Sequence, residues 1–309
     1  MNRQDGAIGF RVANDTLRRG YVLVAGMSIF WGVSWPIMKI ALMEIPPWTF
    51  RTLSLVCSGV GFLILAKASG LKLTVDRSQW APLVLVAMFN VTGWHLGSAH
   101  GISRLESGRA AILGFTMPLW AAILSTVILR EKLSPQKLAG LVLGMTGVFM
   151  LIQPQMTVIG DAPAGVVCML GAALSWGVGT VLLKRFQWTM PVILLTGWQL
   201  IIGSIPVVLG AALFEPFPAV AQLSVNAILC MLYVIAFPML FCHWAWFSVV
   251  RIFPASVAAI STLAIPVIGV FSSAVLLGDQ VGMLEGAALA LVTSALAIVL
   301  LGRKNLGVK

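Results

Sequence analysis

Charge is scarce in this sequence. Only 10% of its 309 residues are charged and 59% are apolar, whereas a water-soluble domain carries about 25% charged residues. The shortage is patterned. Charge-free runs cover 20–38, 52–66, 78–103, 110–129, 138–160, 162–183, 186–214, 216–250, 252–278 and 286–302. A bilayer core about 30 Å thick takes about 20 helical residues, so each run can supply one span. A soluble globular domain is thereby excluded. The alternation of an outer-membrane barrel strand is also missing, and open strands would leave backbone groups unpaired in lipid.

Acid is the scarcest charge where it would matter most. Asp5, Asp15, Glu44, Asp76, Glu106, Glu131, Asp161, Glu215, Asp279 and Glu285 all fall in tails, loops or span ends. An intramembrane carboxylate normally marks a proton relay or a cation site. Its absence argues against proton-coupled export of organic cations and against a carboxylate sodium site, so uniport or weak coupling is expected. Cysteine is equally uninformative about chemistry. Cys57, Cys168, Cys230 and Cys242 lie in apolar runs without a CxxC spacing. They read as small hydrophobes rather than disulfide or zinc partners. No HExxH, no DxxD and no paired carboxylates occur, which disfavours a membrane enzyme. Neither a metal nor a cofactor is expected.

Net charge is +10, yet its distribution speaks for topology rather than for nucleic acid. With the N-terminus in the cytoplasm, only Lys39, Arg51, Arg104 and Arg109 of the 20 basic residues fall on the outer side. The positive-inside rule therefore puts both termini in the cytoplasm, with basic loops against anionic lipid. The first 19 residues have no early apolar region and read as a polar cytoplasmic tail rather than a signal peptide.

What is present is a repetition. Gly26-x4-Trp31-Gly32-Val33 with Lys39 returns as Gly171-x4-Trp176-Gly177-Val178 with Lys184. That offset of 145 also lays Pro46 on Pro191. Further along the offset is 148. It carries His95 onto His243, Ala110-Ala111-Ile112 onto Ala258-Ala259-Ile260, Pro118 onto Pro266, Ser125 onto Ser273 and Glu131 onto Asp279. Spans are expected near 20–42, 47–67, 79–101, 107–129, 135–153, 162–184, 190–213, 225–248, 254–276 and 283–302. Five spans per repeat oblige the second copy to enter from the opposite face. The expected fold is all-α and membrane-integral: ten transmembrane helices in two inverted five-helix repeats, 20–153 and 162–302, joined by a polar external link and followed by a cytoplasmic tail at 303–309. Inverted repeats place a substrate site between the halves near the midplane.

The paired Trp-Gly openings, the prolines at 118 and 266, and the acidic residues closing the fourth and ninth spans resemble the drug/metabolite transporter superfamily in its ten-helix EamA branch. Within that branch the chain is similar to amino-acid exporters of the YddG type. The resemblance implies a multi-pass transporter of the plasma (inner) membrane that exports small metabolites, among them amino acids including aromatic ones. Asp279 stands in Gly-Asp-Gln where the first half has Arg-Glu-Lys, a departure from strict repetition.

Candidate substrate-binding residues follow from type and place. His95 and His243 are repeat mates, titratable and intramembrane; each lines a pathway or bonds a neighbouring helix. Trp31 and Trp176 are repeat mates near mid-span, suited to facing walls of an apolar cavity or to helix packing. Trp35, Trp94, Trp244 and Trp246 are further candidates, although Trp244 and Trp246 flank Ala245 and cannot share one cavity. Asn90 and Gln199 carry amides too costly to leave unpaired in lipid, so they link helices or meet substrate. Pro118 and Pro266 are expected to kink their helices and to free carbonyls near 114 and 262 for a substrate ammonium or simply for packing. Arg51 and Arg109 read as snorkelling side chains, with an outer gate to Glu44 or Glu106 as the other reading. Spans 1, 3, 4, 6, 8 and 9 are expected to line the cavity, and the Gly/Ala-rich spans 5 and 10 to serve helix packing or a homodimer. Alternatives are export of other drugs or metabolites such as purines or sugars, and a channel or scaffold without a transport cycle.

Overall fold

The computed structural model describes residues 3–104, 113–150, 163–215, 223–277 and 282–301, and among them every regular element is helical. Glu106, Arg109, Asp279 and the link at 153–162 lie outside the described residues. The first half comprises α1 (Arg3–Leu42), α2 (Pro47–Ala68), α3 (Trp80–Ala87), α4 (Trp94–Arg104), α5 (Met117–Ile128) and α6 (Pro135–Met150). The second comprises α7 (Pro163–Arg185), α8 (Val192–Phe214), α9 (Val225–Val234), α10 (Cys242–Ile252), α11 (Ala255–Ser261), α12 (Ala264–Leu277) and α13 (Met283–Leu301). The polar N-terminal segment continues α1 rather than standing apart from it.

Helix falls within each of the ten expected stretches, but not always as one rod. Among the described residues six helical stretches are long and apolar enough to cross a bilayer; Asp15–Leu42, Pro47–Ala68, Pro163–Arg185 and Val192–Phe214 run without a break, while Val225–Ile252 and Ala255–Leu276 contain one. A π-turn at Met88–Gly93 joins α3 to α4, and a second at Ile235–Phe241 joins α9 to α10. Pro238 lies inside the second, where its missing N–H already removes an α-helical bond. Each π-turn ends two residues before a histidine, His95 or His243. Such single wide turns re-aim the side chains that follow and recur at functional sites.

Pro118 and Pro266 do more than kink. Thr116 precedes α5 in a tight turn, Thr262 and Leu263 separate α11 from α12, and each proline sits in the first turn of the new helix. There its missing N–H costs nothing. The carbonyl of Thr262, expected to be free, accepts from Ile265 N at 3.0 Å.

Packing pairs the halves. α1 lies against α10 and α12, while α7 lies against α4 and α5; α2 pairs with α8, and α6 with α13. Small residues permit these approaches, because van der Waals fit rather than water exclusion drives helix association in lipid. A methyl at Gly97 would stand 2.8 Å from Cys168 O and 2.9 Å from Ala172 Cβ, so α4 and α7 meet backbone to backbone. Gly147 of α6 faces Ala288 and Val292 of α13 in the same way. Lipid-facing positions remain apolar, as at Val127, Leu213, Phe214 and Val275.

The carboxylates confined to helix ends tie the halves together there. Glu215 accepts from Trp48 N at 2.9 Å and Thr49 N at 2.8 Å, capping α2. Glu131 accepts from Ala255 N at 2.8 Å and Ser256 Oγ at 2.6 Å, capping α11. Glu44 accepts from Ser224 N and Oγ at 2.8 and 2.6 Å, and Asp76 from Thr189 Oγ1 at 3.1 Å. Exposed N–H groups and the helix dipole favour negative charge at such ends. Glu44 therefore serves Ser224 rather than a gate with Arg51.

Candidate functional site

The site begins with the face that α1 turns inward. Trp31, Ser34, Trp35 and Met38 recur at three- and four-residue spacing, which stacks them along one side of a helix. They line a cavity of about 750 Å³, its open mouth included, together with Arg51, Trp94, His95, Phe115, Met117, Trp176, Val234, Pro238, Met239, His243 and Ile265. The lining comes from α1, α2, α4, the break before α5 and its first residue, α7, the end of α9, the second π-turn, α10 and α12, so both halves contribute.

Aromatic rings form the floor. Trp31 and Trp176 meet edge to face at 6.2 Å between centroids, Trp94 meets Trp176 at 5.3 Å, and His243 meets Trp31 at 5.7 Å. Trp246 stands behind them, fully buried and 5.7 Å from Trp176. Edge-to-face contacts suit the ring quadrupoles and add about 0.5–1.5 kcal/mol each beyond burial. Trp244 points away, toward Phe241 and under Arg19. The two tryptophans around Ala245 therefore diverge, and neither lines the cavity.

The second π-turn presents its carbonyls sideways. Pro238 O accepts from Trp31 Nε1 at 3.1 Å and lies 3.0 Å from His243 Nδ1. A carbonyl only accepts, so Nδ1 carries the proton and Nε2 keeps its lone pair. Ser58 Oγ donates to Ile235 O at 3.4 Å, and in the first half Ser175 Oγ donates to Phe89 O at 2.8 Å. Ser34 Oγ donates to Trp31 O at 2.6 Å, leaving its lone pairs toward the cavity. Among the described residues, both ring nitrogens of His95, Nε2 of His243 and Nε1 of Trp176 have no hydrogen-bond partner. Buried polar atoms are rarely left so, and here the rings that carry them belong to the cavity lining.

Six of the expected binding residues thus meet at one place: Trp31, Trp35, Trp94, His95, Trp176 and His243. Besides Trp244 and Trp246, two do not. Asn90 is buried against Gly179, and Gln199 is buried within α8; neither is in the lining. Pro118 and Pro266 also stand outside it, while their neighbours Phe115, Met117 and Ile265 take part. One lining residue was read differently from sequence. Arg51, expected to snorkel, is half-buried and stands in the cavity lining. Its guanidinium carbon lies 5.9 Å from the Phe50 ring centroid. Among the described residues no group of three His, Cys, Asp or Glu side chains could hold a metal.

The sequence pattern of the EamA-like transporter family matches the chain twice, over residues 18–153 and 163–301. A transporter of Bacillus subtilis named YoaV, described as uncharacterized, is 26% identical over 84% of this chain and 88% of its own length. A probable amino-acid metabolite efflux pump of Salmonella typhimurium is 26% identical over 98% of this chain and 96% of its own. One of the same description in Escherichia coli is 22% identical over 92% and 96%. A solved crystal structure superposes with a TM-score of 0.79 over 94% of this chain and 98% of that one, at 20% identity, which shows a shared fold.

Proposed function

The chain belongs to the EamA-like transporter family, and from that premise we propose that it exports amino acids, aromatic ones included, by alternating access between two inverted five-helix halves. Members of this family are transporters, and the apolar helices make this a multi-pass membrane protein. The observation that carries the finer reading is the cavity between the halves, with the repeat mates Trp31 and Trp176 in contact at its floor. Planar or apolar side chains gain most from such a floor, through stacking and burial. The two relatives described as amino-acid metabolite efflux pumps point to the same substrate class.

Three further observations support inversion. The family pattern occurs twice. Exchanging the halves turns the contacts of α1 with α10 and α12 into those of α7 with α4 and α5. The ties at the helix ends exchange too: the 145 offset carries Glu44 to Thr189 and the 148 offset carries Asp76 to Ser224. The basic loops orient both termini to the cytoplasm of an inner membrane. Alternating access then rocks one half against the other around the cavity. The cavity lining has no carboxylate among the described residues, which favours movement down the substrate gradient without proton or sodium coupling. Purines and sugars fit this lining less well, because they would need many polar partners. A channel or scaffold has no use for the closed tryptophan cluster below the cavity. A homodimer would use the outer faces of α6 and α13.

The test is flux in proteoliposomes. Labelled L-phenylalanine should move saturably, ahead of uridine and glucose, and imposed pH or sodium gradients should not drive its accumulation. Absence of saturable amino-acid flux refutes the substrate class; strong uphill accumulation refutes uniport.

A further inference from the structure

One group in the cavity lacks what its chemistry demands. Arg51 is a permanent cation at the edge of an otherwise neutral, mostly apolar space. Among the described residues no carboxylate stands at ion-pair distance from it. Glu44 and Glu215, the described acids tied near the start of α2, are committed elsewhere, Glu44 to Ser224 and Glu215 to Trp48 and Thr49. Arg51 is half-buried; a guanidinium partly withdrawn from water without a counter-ion carries a desolvation cost, which an arriving anion offsets. The guanidinium fork matches a carboxylate with two parallel hydrogen bonds.

The rest of the lining fits the remainder of one molecule. The lone pairs of Ser34 Oγ can accept from an ammonium, and the His95 ring in the same lining has no partner of its own. Below them lie the Trp31, Trp94 and Trp176 rings for an apolar or aromatic side chain. Cation, neutral acceptor and aromatic rings share one lining, and an α-amino acid offers a carboxylate, an ammonium and a side chain to match them.

We propose that Arg51 is the carboxylate anchor and the specificity-determining residue of this site, so that free α-amino acids are taken and their esters and decarboxylated amines refused. The inference rests on the amino-acid reading above and deepens it. Both rejected classes retain the ammonium, which Arg51 then repels without compensation. Losing a charge-assisted pair changes affinity by about 10- to 100-fold.

The experiment measures binding to the full-length protein in detergent or nanodiscs, read by intrinsic tryptophan fluorescence, with four probes: L-phenylalanine, its methyl ester, 2-phenylethylamine and 3-phenylpropionate. Wild type should bind phenylalanine at least 10-fold tighter than the ester or the amine. Arg51→Gln should bring the affinities of acid, ester and amine together, and Arg51→Lys should restore part of the preference. If wild type binds the ester as tightly as the acid, or Arg51→Gln retains the preference, the anchor is overturned while the amino-acid reading stands. If 3-phenylpropionate binds through Arg51 and phenylalanine does not, the anchor holds and the amino-acid reading falls. If no carboxylate binds while uridine or glucose saturates the site, both fall. Should Arg51→Gln fail to fold, the wild-type preference for acid over ester decides alone.

Discussion

Replacing Glu131 should destabilise the protein through the other half of the chain. Its carboxylate caps α11, where Pro254 at the helix start offers no side-chain acceptor. Oε1 takes Ala255 N at 2.8 Å, and Oε2 takes Ser256 Oγ at 2.6 Å and Ser256 N at 3.4 Å. Lys137 Nζ lies 3.8 Å from Oε2, with the two side chains 7% and 14% exposed. Glu131→Ala removes a cap, at about 1–2 kcal/mol, and strands a buried ammonium, where breaking such a pair costs about 3–5 kcal/mol. The terms overlap, so a loss on the order of 3–5 kcal/mol is expected in all. Glu131→Gln keeps one acceptor and should lose about 2–3 kcal/mol. Adding Lys137→Met to Glu131→Gln should recover about 1–2 kcal/mol, since the stranded charge is gone. Equilibrium unfolding in mixed detergent micelles reads these differences. A Glu131→Ala protein within about 0.5 kcal/mol of wild type, the range of an ordinary surface change, would refute the reasoning.

The two histidines should separate stability from transport. His95→Leu removes a buried ring without partners and should leave the melting temperature unchanged or higher while lowering amino-acid flux; His243→Leu also loses the bond to Pro238 O and should lower both. Gly97→Ala should cost about 1–3 kcal/mol by overpacking the α4–α7 contact, whereas Gly171→Ala, which meets nothing within 4 Å, should be neutral or stabilising by up to about 1 kcal/mol. Hydrogen bonds from Ser224 hold the Glu44 carboxyl below the ordinary carboxylate range. Its contribution is therefore present above the ordinary carboxylate pKa and lost as pH falls through the lowered one; the melting temperature of Glu44→Gln should drop less than that of wild type between pH 7 and pH 3.

The helical stretches were legible because lipid demands apolar length, and the prolines and Trp-Gly pairs announced the repetition. The pairing of Trp31 with Trp176 and of His95 with His243 followed from that repetition alone. Orientation was harder. In a soluble helix a polar face marks the outside, but membrane helices are apolar toward lipid and neighbour alike. Nothing in the residues around Asn90 and Gln199 shows that they face helix contacts instead of the cavity. Arg51 near a helix start reads as snorkelling by default, and only the folded structure places it in the cavity lining. The π-turn at 235–241 had a signal in Pro238; the one at 88–93 had none. The carboxylates were placed at helix ends from sequence, but their partners lie more than 100 residues away and appear only when the halves meet.

The central claim, that two matched halves lie upside down to each other around one chamber, is most directly tested by cysteine accessibility. In a variant with Cys57, Cys168, Cys230 and Cys242 replaced, single cysteines at 44, 224, 76 and 189 would be exposed to a membrane-impermeant maleimide. Positions 44 and 224 should label in intact cells, and positions 76 and 189 only after permeabilisation. Labelling of all four from the same side would contradict the account.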